Sequence, residues 1–132
     1  HYKQALKHYD RLLTHFPSSR YVSPALYNAG LCHEWLGQFD KAEPHLRAAF
    51  ELNPSHARAL NFLGYSLADR NERLPEALSL IQQALETDPW NGAYLDSLGW
   101  VYYRMGRYAE AREPLERAAR EYPNDATVLD TR

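Results

Sequence analysis

Residues 95–111 read LDSLGWVYYRMGRYAEA, a helical pattern that contains residues a helix normally avoids. Two of them are the glycines Gly99 and Gly106, and a glycine inside a helix costs roughly 1 kcal/mol relative to alanine. The same stretch places four aromatic rings within nine positions: Trp100, Tyr102, Tyr103 and Tyr108. Both features have a common explanation, because the pattern recurs elsewhere in the chain.

A period of 34 or 35 residues runs through the sequence in three residue types. The residues that share this spacing are Gly30, Gly64 and Gly99, then Ala42, Ala77 and Ala111, and then Pro54, Pro89 and Pro123. Agreement among three residue types predicts a repeat architecture.

Each repeat is predicted to contain two helices, because apolar residues recur at helical spacing between turn signals. The first helices are expected at about 21–36, 57–70 and 92–105, and the second helices at about 40–52, 75–87 and 108–121. A further helix of the second type is expected at about 2–15.

The turns within the repeats carry their own signals. Gly37 and Gly106 are suited to the positive φ that often follows a helix end. Asp40 is predicted to cap a helix that starts at Lys41. The second repeat has a turn that is one residue longer and lacks glycine, DRNERLPE, in which Pro75 suits a first helical position.

This pattern resembles the tetratricopeptide repeat, a helix–turn–helix unit of 34 residues. The third repeat carries most of that family's signature, in Leu95, Leu98, Gly99, Tyr102, Gly106, Tyr108, Ala111, Leu115, Ala118 and Pro123. The resemblance implies an all-α right-handed superhelical solenoid of antiparallel helix pairs, with about three and a half repeats. The segments LGYSLADR and YLDSLGWVYYRMGRY are similar to those of bacterial members of the family, several of which are associated with the cell envelope.

The expected organisation is a single domain covering residues 1–132. Residues 1–19 would hold the second helix of a truncated repeat, and residues 20–55, 56–90 and 91–124 would be full repeats. Residues 125–132 would begin a further helix. The chain starts at His1 rather than Met and shows no signal peptide, so we expect it to be a fragment or processed piece of something longer.

The resemblance also assigns roles to the glycines and rings. Gly30, Gly64 and Gly99 would let the two helices of a pair approach, and Tyr102 and Tyr108 would be core residues. Positions that face the concave groove in this family would form a binding site. The candidates are Tyr27, Asn28, Trp35, Arg58, Asn61, Phe62, Tyr65, Asp96, Trp100, Tyr103 and Arg104.

One specialisation of the family is not expected. Its carboxylate-clamp members bind the chaperone C-terminus through lysine, asparagine and arginine. The matching positions here are Tyr27, Leu31, Phe62, Ala93 and Ser97, none of which fits that pattern. The ligand is therefore expected to be apolar or aromatic, with a basic residue that could meet Asp69 or Asp96.

Composition argues against several other functions. The net charge of −2 offers no polybasic surface for nucleic acid. No apolar run approaches the ~20 residues needed to span a bilayer, so direct membrane insertion is not expected. The sequence leaves open whether the protein resides in the bacterial cytoplasm or on the periplasmic side of the envelope.

No catalytic residue, metal site or cofactor is expected. His1, His8 and His15 are seven residues apart, so neighbours lie ~10 Å apart along a helix. His33 occupies a position that usually packs, and His45 and His56 have no partner at ligand spacing. No nucleophile elbow or phosphate-binding glycine loop occurs in the sequence.

The function expected from these observations is a non-enzymatic protein–protein interaction scaffold that binds a peptide or partner segment in an aromatic-lined groove. The alternative is a self-assembly module that forms homo-oligomers through uncapped solenoid ends, since exposed apolar ends can dock on each other.

Overall fold

The computed structural model describes residues 1–17 and 20–121, which form seven α-helices and contain no β-strand. The helices are α1 (Tyr2–His15), α2 (Val22–Trp35), α3 (Phe39–Leu52), α4 (Ala57–Asp69), α5 (Leu74–Thr87), α6 (Gly92–Arg104) and α7 (Tyr108–Glu121). Every predicted helix is confirmed, with ends that agree to within one residue. The predicted stop at Pro123 and the predicted helix start at 125–132 lie outside the described residues.

The chain divides into two compact units, residues 1–59 and residues 60–132, and the division falls inside α4. We call them the N-terminal unit and the C-terminal unit and describe each by itself. The predicted repeat boundaries and the single domain over residues 1–132 stay predictions.

In the N-terminal unit, α2 packs against both α1 and α3. Small buried alanines of α2 and α3 allow this contact, among them Ala25, Ala29 and Ala49. At Gly30 an added Cβ would lie 2.8 Å from the side chain of Leu46, which is tighter than real contacts allow. The Oγ of Ser23 also donates a 2.7 Å hydrogen bond to the carbonyl oxygen of Ala49. Glycine at position 30 therefore brings the two backbones together, as predicted.

The C-terminal unit repeats this arrangement twice. An added Cβ at Gly64 would lie 2.6 Å from Ile81 and 2.9 Å from the carbonyl oxygen of Ala77. An added Cβ at Gly99 would collide with Leu115 and approach the carbonyl oxygen of Ala111 at 3.3 Å. The predicted role of these glycines at helix crossings is thus confirmed in α4–α5 and in α6–α7.

The turns between paired helices use positive φ angles. Gly37 and Gly106 have φ angles of 75° and 77°, as predicted. In the second turn Asn71 takes the same place with φ 57°, and the next amide, of Glu72, donates to the carbonyl of Leu67. The extra residue is accommodated by Arg73, also left-handed at φ 42°. Asparagine replaces glycine here because its short polar side chain tolerates this conformation.

Three local predictions were wrong. Helix α3 begins at Phe39 rather than Lys41, its N-cap is Gln38, and no side chain caps it. Asp40 cannot be the cap because it already lies within the first turn of the helix. Pro75 is the second residue of α5 rather than the first. Tyr108 is 63% exposed and is not a core residue.

Candidate functional site

The C-terminal unit contains an open pocket of about 570 Å³. Its lining residues come from three helices: Tyr65 and Asp69 from α4, Asp96, Gly99, Trp100 and Tyr103 from α6, and Leu115 from α7. The α6 residues share a face because positions 96, 100 and 103 are four and three residues apart, and residues 65 and 69 share a face of α4 for the same reason. Four predicted site residues, Tyr65, Asp96, Trp100 and Tyr103, therefore meet in one place.

Stacked rings form one wall of this pocket. Trp100 and Tyr103 are nearly parallel, with centroids 5.7 Å apart and an interplanar angle of 9°. Tyr103 in turn meets Tyr108 edge-on at 5.2 Å. Tyr103 is about half exposed and Trp100 is partly buried. The rings thus support each other while presenting apolar surface to solvent.

The indole of Trp100 holds a buried donor that is not satisfied. Its Nε1 is shielded from solvent and has no hydrogen-bond partner among the residues that the structure describes. A buried donor without an acceptor costs roughly 1–3 kcal/mol. Trp100 therefore lines the pocket while its N–H is shielded from solvent and unsatisfied.

Two carboxylates give the pocket a negative side. Asp69 is exposed and Asp96 is partly buried. Burial raises the pKa of the Tyr65 phenol, and the charges of Asp69 and Asp96 raise it further. The Tyr65 hydroxyl therefore stays protonated and available as a donor beside the acids.

Arg104, another predicted site residue, holds α6 against α4. Its Nε donates a 3.0 Å hydrogen bond to the backbone carbonyl oxygen of Ala68. Its Nη2 donates a 3.4 Å hydrogen bond to the backbone carbonyl oxygen of Asp69. The same group lies 5.4 Å from the centroid of the Trp100 ring. Because these carbonyls belong to the last turn of α4, the positive charge complements the helix dipole there. Arg104 thus holds the Trp100 ring on α6 in place relative to Asp69 on α4.

Asn61 and Phe62 lie earlier on α4 and are partly buried. The Oδ1 of Asn61 is buried and has no hydrogen-bond partner within residues 1–17 and 20–121. Asn61 precedes Tyr65 by four residues and so shares its face of the helix. Neither residue lines the pocket.

The remaining predicted site residues lie in the N-terminal unit. The Tyr27 ring contacts the ring of His56 at 5.1 Å, and the Arg58 guanidinium lies 5.2 Å from the Tyr27 centroid. Asn28 is partly buried on α2. Trp35 is 67% exposed and stacks on Tyr2 with centroids 6.4 Å apart. The two aromatic residues of this group make separate ring contacts, Tyr27 with His56 and Trp35 with Tyr2.

His56 has a role that the sequence did not reveal. Its Nδ1 accepts the backbone N–H of Ala59 at 3.3 Å, which makes the imidazole the cap of α4. Burial lowers the pKa of His56, and the nearby charge of Arg58 lowers it further, against a smaller opposing effect of a backbone hydrogen bond. The only available signal was its place just before the first residue of the helix.

Gly99 and Leu115 also line the pocket, although the sequence indicated only packing roles for them. Within the described part of the chain no group of three or more histidine, cysteine or acidic residues is placed to hold a metal ion. No described helix has both the length and the apolar character needed to cross a membrane.

Comparison with known families now identifies the class of protein. Two family models described as tetratricopeptide repeat match residues 36–93 and 68–131, and together they span more than half of the chain. The chain belongs to the tetratricopeptide repeat family, and its fold is the all-α helical-repeat solenoid predicted from the sequence. This fold is a scaffold for protein–protein interaction.

Among individual relatives, the TPR repeat-containing protein PA4667 of Pseudomonas aeruginosa is 40% identical over 99 residues, which are 75% of this chain and 17% of that protein. BBSome complex member BBS4 of Bos taurus is 35% identical over 89 residues, covering 67% of this chain and 17% of the relative. The chain thus spans less than a fifth of each of these relatives. The Pseudomonas relative supports the predicted bacterial origin.

Solved structures show the same fold. YrrB, described as a TPR protein with an unusual peptide-binding site, is 27% identical, has a TM-score of 0.83, and matches 98% of this chain and 65% of its own. The pilF protein of Pseudomonas aeruginosa is 25% identical with a TM-score of 0.84, matching 96% of this chain and 56% of its own.

Proposed function

We propose that the chain is a non-enzymatic scaffold that binds a peptide or partner segment, and that the pocket of the C-terminal unit receives one of its side chains. The observation that carries this proposal is the ring stack of Trp100 and Tyr103, which lines the pocket, together with the buried Trp100 N–H, which has no acceptor among the described residues. Trp and Tyr dominate the energetics of protein interfaces. The description of YrrB as a peptide-binding protein adds support.

The chemistry of the pocket defines the expected ligand. The rings of Tyr65, Trp100 and Tyr103 favour an aromatic or apolar side chain. A peptide carbonyl would satisfy the Trp100 N–H, and a neighbouring lysine or arginine would meet the negative side formed by Asp69 and Asp96. Because opposite charges attract across an interface, acidic peptides should bind worst.

The other predicted groove residues remain part of the proposal, each within its own unit. In the N-terminal unit these are Tyr27, Asn28, Trp35 and Arg58, and in the C-terminal unit they include Asn61, Phe62 and Arg104. Arg104 would act indirectly, by holding the Trp100 ring in place. Asn61 would contribute its unsatisfied amide oxygen to a backbone N–H of the bound segment.

The test uses a random peptide library displayed on phage and selected on the full chain. We expect enrichment of peptides that pair an aromatic or large apolar residue with a basic one. In fluorescence anisotropy, Trp100→Ala should weaken their binding by about 2 kcal/mol or more, roughly thirtyfold.

Trp90 provides the matched control. It is 61% exposed, lies between α5 and α6, and contacts the Arg117 guanidinium rather than the pocket. Trp90→Ala should leave peptide affinity within about twofold of the parent. Selected peptides that bind Trp100→Ala as tightly as the parent, or a selection with no enrichment, would contradict the proposal.

Self-assembly is retained as a second proposal because of the exposed surface of α1. Helix α1 contains no fully buried residue, and Phe16 next to it is 61% exposed. A second copy could cover this surface. Light scattering over a concentration series separates the two proposals, because self-assembly raises the mean mass with concentration and peptide binding alone does not.

A further inference from the structure

Two histidines of the N-terminal unit meet where α2 packs against α3. His33 lies on α2 and His45 on α3, twelve residues apart in sequence, and their ring centroids are 4.8 Å apart with a tilt of 45°. Both side chains are partly buried. The contact forms where the two helices pack together, so the spacing of the two histidines in the sequence did not reveal it.

Hydrogen bonds select the tautomer of each ring. The Nδ1 of His45 is 2.8 Å from the carbonyl oxygen of Lys41, which can only accept, so this nitrogen carries the proton. The Nδ1 of His33 is 2.8 Å from the Oε1 of Gln38, which also accepts. Each neutral imidazole is therefore left with its lone pair on Nε2. Donation from the other ring nitrogen to a carbonyl is the usual way that proteins orient a metal-binding histidine.

We propose that His33 and His45 bind one divalent transition-metal ion through their Nε2 atoms. With metal–nitrogen bonds of about 2.0–2.1 Å and tetrahedral angles, two imidazoles on one ion have centroids about 5 Å apart. The observed 4.8 Å matches that separation. Imidazole ligands select Zn²⁺, Ni²⁺ or Cu²⁺ over Mg²⁺ and Ca²⁺.

The site has two protein ligands. No third histidine, cysteine or acidic side chain joins the pair among the described residues. Water fills the remaining positions, so the ion is exchangeable rather than permanently held. Because it joins α2 to α3, binding stabilises the folded state, since any ligand that prefers the folded protein does so.

The experiment uses the full chain without a polyhistidine tag and titrates it with ZnCl₂ in a calorimeter. We expect one saturable site that His33→Ala or His45→Ala each weakens by at least tenfold, and MgCl₂ should give no signal. His8→Ala is the matched control, because His8 is exposed on α1. Equal Zn²⁺ affinity in the parent and in His33→Ala would overturn the proposal, as would a loss caused by His8→Ala.

Gln38→Ala tests the orientation of His33 separately. The Gln38 side chain does not cap α3, so this substitution leaves the helix start intact. Loss of such a supporting hydrogen bond typically weakens metal binding by about 10–100-fold. Unchanged affinity in Gln38→Ala would show that the pair does not chelate through the proposed nitrogens.

A measurement on the parent chain keeps the proposal testable if the histidine variants fail to fold. Substoichiometric Cu²⁺ should broaden amide resonances of residues around 33 and 45 in a nitrogen-15 correlation spectrum before any others. Broadening that begins on α1, around His1, His8 or His15, would overturn the proposal.

Discussion

At the scale of single residues, His56 and Trp100 differ in whether a ring nitrogen has a hydrogen-bond partner. The Nδ1 of His56 accepts the N–H of Ala59 and so completes the first turn of α4. The Nε1 of Trp100 is buried without a partner among the described residues. A satisfied nitrogen stabilises the fold, whereas a buried nitrogen without an acceptor costs free energy.

The cap at His56 predicts a pH dependence of stability. Its folded pKa lies below the ordinary value of about 6.5, so the unfolded chain takes up this proton first as the pH falls. The contribution of His56 to the stability of the folded protein is therefore complete above about pH 6.5 and decreases as the pH falls below it. Chemical unfolding should show a larger loss between about pH 7.5 and about pH 5.5 in the parent than in His56→Asn.

Asparagine is the right comparison at this position because it caps helices without titrating. All other residues are the same in both proteins, so their contribution cancels in the difference. Equal slopes of stability against pH in the parent and in His56→Asn would contradict the capping role.

At the scale of elements, the helix pairs are set by glycines at their crossings. The sequence predicted this well, because glycine, alanine and proline positions all repeat with one period. It failed at Asp40 and Tyr108, whose environments depend on where a turn ends and on what lies across the helix pair. The contact between His33 and His45 escaped prediction for the same reason, since two residues on different helices share no sequence spacing.

Equivalent glycines should nevertheless differ in their tolerance of alanine. At Gly64 the added Cβ would press on the backbone carbonyl of Ala77 at 2.9 Å, and backbone cannot rotate away. At Gly30 the nearest atoms belong to the buried Leu46 side chain at 2.8 Å, and the Ala42 carbonyl is 3.4 Å away. Gly64→Ala should therefore cost about 1–3 kcal/mol.

Gly30→Ala should cost less than Gly64→Ala, because no backbone atom is as close and about 1 kcal/mol of helix propensity offsets part of the displacement of Leu46. Free energies of unfolding from urea titrations measure both variants. A Gly30→Ala variant that is less stable than Gly64→Ala would show that the Leu46 side chain, rather than the Ala77 carbonyl, limits the approach of the helices.

At the scale of the whole molecule, the repeat period predicted the family and all seven described helices. The candidate site was predicted only in part. The family resemblance placed Asp69, Asp96, Trp100 and Tyr103 in the groove, but the pocket also needs Leu115, and it needs Arg104 to hold α6 against α4. Such contacts depend on side-chain geometry between helices, which a single-helix pattern does not contain.

The central claim is that the Trp100 N–H donates a hydrogen bond to a bound peptide, and nitrogen-15 NMR tests it directly. The chain has three tryptophans, Trp35, Trp90 and Trp100, so three indole resonances can be assigned by single Trp→Phe substitutions. On addition of a library-selected peptide, the Trp100 indole proton should move downfield while the Trp90 resonance stays in place. A Trp100 resonance that does not move at saturating peptide, with Trp35 or Trp90 shifting instead, would contradict the account.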